Sequence, residues 1–94
     1  MRRLPTLFEN VSFQTIVKKE NREFLDELIL NVMKGHTYSA HSLTKIFASN
    51  LHLDDEKTAY IRWHLPRELQ ELENKNRVQS IMVGSRKRIY RVGV

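Results

Sequence analysis

Cysteine is absent from this 94-residue chain. Disulfide stapling and thiol catalysis are therefore excluded, and a zinc site would have to be built from His and carboxylate ligands alone. The absence fits a reducing compartment. Glycine occurs three times and proline twice; no Gly-rich phosphate loop and no His-Glu-x-x-His pair is present. No run approaches the ~20 apolar residues of a membrane span. Met1-Arg2-Arg3 is followed by Leu4-Pro5-Thr6 rather than an apolar stretch, which argues against a signal peptide. A cytoplasmic, or host-cell intracellular, protein with no membrane partner is expected. One further absence is local. Residues 75–94 contain Lys75, Arg77, Arg86, Lys87, Arg88 and Arg91 and no acidic residue.

What is present suits one small globular domain, with 40% hydrophobic and 29% charged residues, a mix that argues against wholesale disorder. The formal net charge is +5. A basic balance favours a polyanionic partner, because lysines and arginines that neutralise phosphates release condensed counterions.

Residues 1–20 read two ways. Leu7, Phe8, Val11 and Thr15 fit one helical face, while Val11, Phe13, Thr15 and Val17 fit strand alternation equally well. The segment is treated as an N-terminal extension that packs on the domain or lies at a dimer interface, with the domain proper at residues 21–94. Asn21 is a candidate N-cap, with Glu23 in the first turn. Phe24, Leu25, Leu28, Ile29, Val32 and Met33 then make a wide apolar stripe, and Gly35 stands where a left-handed C-cap belongs. His36-Thr37-Tyr38 suits a short strand. Ser39 caps a helix running to Asn50, with Leu43, Ile46 and Phe47 inward. Leu51-His52-Leu53 connects it to a longer helix opened by Asp54, Asp55 and Glu56, whose Thr58, Ile61, Leu65, Leu69 and Leu72 fall on one side. Pro66 deletes one intrahelical hydrogen bond, which predicts a kinked or joined helix pair there. Val78 to Val83 and Arg88 to Val92 are strand-like, around a Gly84-Ser85-Arg86-Lys87 turn. Tyr90 and Val92 share one face, Ile89 and Arg91 the other.

A helix pair followed by a basic hairpin resembles the winged helix-turn-helix superfamily, over roughly the last two-thirds of the chain. The fold this implies is α+β and mainly helical, with three core helices followed by a C-terminal β-hairpin wing. The resemblance also implies a sequence-specific double-stranded DNA-binding protein, a small transcriptional regulator. A one-domain regulator of this size suits a phage, virus or plasmid. The helix opening at Asp54 becomes the reader, since an α-helix fits the major groove; its candidates are Lys57, Tyr60, Arg62, Trp63, His64 and Arg67. The wing tip offers Ser85, Arg86, Lys87 and Arg88. The helix before it offers Ser39, His41, Ser42 and Lys45 to phosphate. A homodimer is expected, because paired half-sites lengthen a short recognition site.

The bland alternatives stand beside these. Lysines and arginines on a helix face are often merely solvated. Trp63 is expected to pack beneath residues 1–20 or to lie at an interface. If it lies at an interface, the fold serves instead as a protein-interaction module with Tyr60 and Trp63 as aromatic anchors. His36, His41, His52 and His64 have no metal spacing, and the Asp54-Asp55-Glu56 cluster is explained by a helix N-terminus. No catalytic residue, metal or cofactor is expected, and the chain is not read as an enzyme. Glu68, Glu71 and Glu73 would repel phosphate if they faced it, so with DNA bound they must point away or lie past the groove.

Overall fold

A computed structural model describes residues 8–9 and 11–92; Arg2, Arg3 and Leu7 lie outside the described residues. Within these bounds the chain is α+β. It forms α1 (Phe13–Val17), a 3-10 turn (Lys19–Asn21), α2 (Arg22–Met33), β1 (Tyr38–Ser39), α3 (Ala40–Leu51), α4 (Asp55–Asn74), β2 (Val78–Val83) and β3 (Lys87–Val92). The three strands make one antiparallel sheet in the order β1-β3-β2.

Side-chain caps set the starts of both helices that follow β1. The Ser39 hydroxyl accepts from the Ser42 amide at 3.1 Å to open α3, and the Asp54 carboxylate accepts from the Lys57 amide at 2.9 Å to open α4. Between them the chain reverses at His52, which adopts the left-handed conformation (φ 55°) and donates its amide to the Ala48 carbonyl. Leu51 and Leu53 flank this turn and pack against the core.

The core gathers one side of each long helix and the inner face of the sheet. Phe47, Ile29, Met33, Leu43, Leu65, Leu69, Leu72, Val32 and Val78 are its fully buried side chains. Phe8 meets Phe47 edge-on at 5.1 Å, and Ile16 joins the same cluster. In the sheet, Val78 lies opposite Val92 and Ser80 opposite Tyr90 on the inner face, while Gln79 pairs with Arg91 and Ile81 with Ile89 on the outer. Tyr90 is buried, and burial raises its phenol pKa above the usual value.

Several expectations are corrected. Residues 13–17 resolve as a short helix, capped by Ser12 accepting from the Thr15 amide, and Ile16 rather than Val17 is its buried residue. Asn21 precedes α2 without a side-chain cap, because its amide nitrogen donates instead to the Thr15 carbonyl at 2.9 Å. Phe24 is exposed, whereas Leu30 and the charged Asp26 are buried. The stripe is rotated, since α2 packs against α4 with Asp26 facing inward. Pro66 does not divide its helix: α4 is continuous from Asp55 to Asn74. Pro66 and Arg62, whose carbonyl loses its donor, are both exposed, so the missing bond falls on the solvent side of the helix, where it is least disruptive. The short strand is Tyr38–Ser39, and Lys87 pairs with Val83, which leaves Gly84, Ser85 and Arg86 as the hairpin tip. Gly84 supplies the positive φ (71°) that this tight reversal needs.

The burial map predicts opposite outcomes for two large residues of α4. Leu69→Ala should cost about 2–5 kcal/mol through lost transfer energy and a cavity. Trp63→Ala, at a 70% exposed position, should change stability within about 0.5 kcal/mol. Denaturant midpoints of the two variants check this.

Candidate nucleic-acid interface

Helix α4 spends one side on the core, so its opposite side is fixed as surface. At ~100° per residue, Ile61, Leu65, Leu69 and Leu72 point inward and Glu56, Tyr60, Trp63, Arg67 and Gln70 point outward. All five of the latter are exposed. Trp63 stands in the middle of this face, and the Arg67 guanidinium lies 6.0 Å from its ring centroid. Among the described residues, none of the N-terminal segment covers Trp63, which is 70% exposed. Phe13 packs edge-on against Tyr60 instead, at 5.4 Å. Tyr60 in turn stacks on His64 at 4.0 Å and 28°. Lys57 lies 5.9 Å from the Phe13 ring and 3.9 Å from Asp54. The result is an aromatic row, Phe13-Tyr60-His64, on one flank of the helix, with Trp63 and Arg67 beside it.

The three glutamates that would repel phosphate are each hydrogen-bonded, although Glu68 and Glu71 line the same groove as Tyr60, His64 and Arg67. The Arg22 guanidinium donates to Glu68 at 3.0 Å and to Glu71 at 2.8 Å, and Glu73 accepts from the Ser80 hydroxyl at 2.7 Å. Sequence reasoning placed Glu68 on the surface; it is 7% exposed. Its neighbour across the helix interface is Asp26, equally buried, with Lys75 at 3.7 Å from one oxygen. The other oxygen, Oδ1, has no hydrogen-bond partner among the described residues. Burial first, then Asp26, push the Glu68 carboxyl up to about 7, against the opposing pull of Arg22. A protonated Glu68 carries an O–H that it can donate to the neighbouring Asp26 carboxylate.

The hairpin divides its cations. Arg88 donates to the Ser80 hydroxyl at 2.9 Å, and through Ser80 joins Glu73 on α4. It is therefore a brace between the sheet and α4 rather than a free tip residue. Arg91 donates to Gln79. Ser85, Arg86 and Lys87 are exposed, and neither cation has an acidic partner among the described residues. Arg62 is likewise exposed and unpaired on those terms. At the start of α3, His41, Ser42 and Lys45 are exposed, while Ser39 is half-buried and occupied in its cap. Because Ser39 pairs with Ile89, α3 starts at the edge of the sheet opposite the free edge of the β2–β3 hairpin.

Sequence reasoning missed two neighbours of the helix face. Lys18 and Lys19 line, with Arg22, Tyr60, His64, Arg67 and the Arg22-paired Glu68 and Glu71, a groove of about 310 Å³ between the N-terminal segment and α4. The Lys-Lys pair was visible as charge, but nothing local says that it lies beside α4. Among the described residues, no group of three His, Asp or Glu side chains is placed to hold a metal ion, and no helix is long and apolar enough to cross a membrane. No protein-family model, curated protein or solved structure matches the chain.

The carboxylate pair makes stability pH-dependent. A carboxyl whose folded pKa is raised binds its proton more tightly when folded. Its contribution is whole below the ordinary value of 4.5 and is lost as pH rises through about 7. The urea midpoint should therefore fall between pH 5 and pH 8 in the parent chain, and the Glu68→Gln variant should flatten that fall.

Proposed function

We propose that this chain is a winged helix-turn-helix protein that binds double-stranded DNA as a small transcriptional regulator. Its succession of α2, β1, α3, α4 and a β2–β3 hairpin, with β1 added beside β3, supports that reading. In it α4 is the recognition helix and the hairpin is the wing. The observation that carries it is the neutralisation of the α4 carboxylates beside unpaired cations. Glu68, Glu71 and Glu73 are held against Arg22 and Ser80, so that the groove Glu71 shares with Tyr60 and Arg67 has its negative charge answered by Arg22. Trp63 and Arg67 stand exposed, and Arg86 and Lys87 on the hairpin have no acidic partner among the described residues. Phosphates are then met by Lys57, Arg86 and Lys87, and by Lys45 with the exposed start of α3; base edges are met by Arg67, Tyr60 and Arg62. Arg88 supports the wing from behind.

A second reading rests on Trp63. A tryptophan 70% exposed in the centre of a helix face is the kind of residue that anchors protein interfaces. On that reading the same face takes a protein partner and the hairpin cations only tune its approach.

Fluorescence anisotropy with labelled duplexes at several salt concentrations separates the two. The Arg86→Ala/Lys87→Ala variant should bind every duplex more weakly, with a salt slope flatter by about one unit per lost phosphate contact. Arg67→Ala should narrow the gap between preferred and random sequences. Absence of binding at low salt, or binding indifferent to the hairpin cations, contradicts the DNA reading. A protein partner lost on Trp63→Ala and kept by the hairpin variant would replace it.

A further inference from the structure

In the order β1-β3-β2, strand β2 is an edge. Its backbone groups on the side away from β3 have no partner among the described residues. Edge strands are usually guarded by a charge, a proline or a bulge, because an open row of N–H and C=O groups is a template for another strand. β2 has no such guard. Val-Gln-Ser-Ile-Met-Val holds no charge, no proline and no glycine, and Ile81, Met82 and Val83 are 62%, 48% and 47% exposed.

We propose that β2 is a dimerisation strand: it pairs antiparallel with β2 of a second copy, Ile81 opposite Ile81, and joins the two sheets edge to edge.

Charge limits where a second copy can sit. Two copies of a chain with net charge +5 repel, and β3, the hairpin tip and the outer face of α4 all carry cations. β2 is where they can meet over six neutral residues. Pairing a strand with its own copy is also the two-fold, self-complementary arrangement that homodimers favour.

Alternation then fixes the register. Directly opposite residues share a face of the sheet, so the two-fold axis must pass through a residue rather than between two. An axis at Ser80 sets Ser80 against its own copy on the inner face, where it is already bonded to Glu73 and Arg88. It also wastes Ile81 on Gln79. An axis at Ile81 sets Gln79 against Val83 and Ser80 against Met82. Since Ile81 pairs with Ile89 within each chain, the outer face then carries an unbroken row: Ile89, Ile81, and the same two residues of the second copy. Such cross-strand apolar pairs are the unit of sheet stabilisation. At the ends, Arg77 comes beside Ser85 of the second copy with its charge already answered by Glu27 at 3.1 Å.

The lack of native cysteine makes the test clean. Ile81→Cys should form a covalent dimer under mild oxidation, while Gln70→Cys on the outer face of α4 should not. Sedimentation equilibrium of the parent chain should show a dimer that strengthens with salt and is lost in Ile81→Lys, with the circular dichroism spectrum unchanged. A parent chain monomeric at every concentration and salt, a dimer that survives Ile81→Lys, or equal crosslinking of the two cysteine variants would overturn the proposal.

Discussion

The burial of Ile61, Leu65, Leu69 and Leu72 against α2, α3 and the sheet is the constraint on which everything else depends. These four residues fix the rotation of α4 about its own axis. A turn of ~100°, one residue's worth, would sink charged and aromatic side chains into the core at a cost no surface contact could offset. The outward display of Tyr60, Trp63 and Arg67 is therefore a by-product of packing. A candidate reading face is obtained without loops or cofactors, from one helix that is apolar on one side only.

Electrostatics then sorts the remaining side chains. Arg22 is 48% exposed, so its pairs with Glu68 and Glu71 add little stability by themselves. Their effect is positional: two of the acidic groups of α4 are drawn to the α2 side. Glu73 is drawn the other way, to Ser80 and Arg88. What remains on the outer face is mostly neutral or cationic, Glu56 being the carboxylate on that stripe. The same clustering places Glu68 beside Asp26 in a buried setting, where one shared proton is the economical solution. Structural demand and surface charge are thus two results of one arrangement.

The parts legible in the sequence were those governed by local physics. Helix α2 followed from its apolar periodicity, and Ser39 and Asp54 declared the starts of α3 and α4 through their capping chemistry. The alternation of Ile89, Tyr90, Arg91 and Val92 gave the faces of β3. The parts that were not legible depend on partners distant in sequence. Five residues, Phe13–Val17, are too few for helical and strand periods to be told apart. A charged residue reads as solvated until its partner is known, which hid Asp26 and Glu68. The consequence of Pro66 depended on which way it faced. Trp63 was expected beneath the N-terminal segment because apolar bulk argues for cover; Phe13 took Tyr60 instead. Of the four residues assigned to the hairpin tip, Lys87 and Arg88 lie in β3, and the bond of Arg88 to Ser80 reaches across the ladder.

The central claim is that the outer face of α4 and the hairpin tip meet one polyanion together. Backbone amide shift mapping during titration with a short duplex at low salt tests it most directly. Perturbations should concentrate at Lys57, Tyr60, Trp63, Arg67 and residues 84–87, with Leu28, Ile29 and Glu27 on α2 unmoved. Perturbations confined to one of the two elements, spread evenly over the surface, or absent while the duplex is in excess would contradict it.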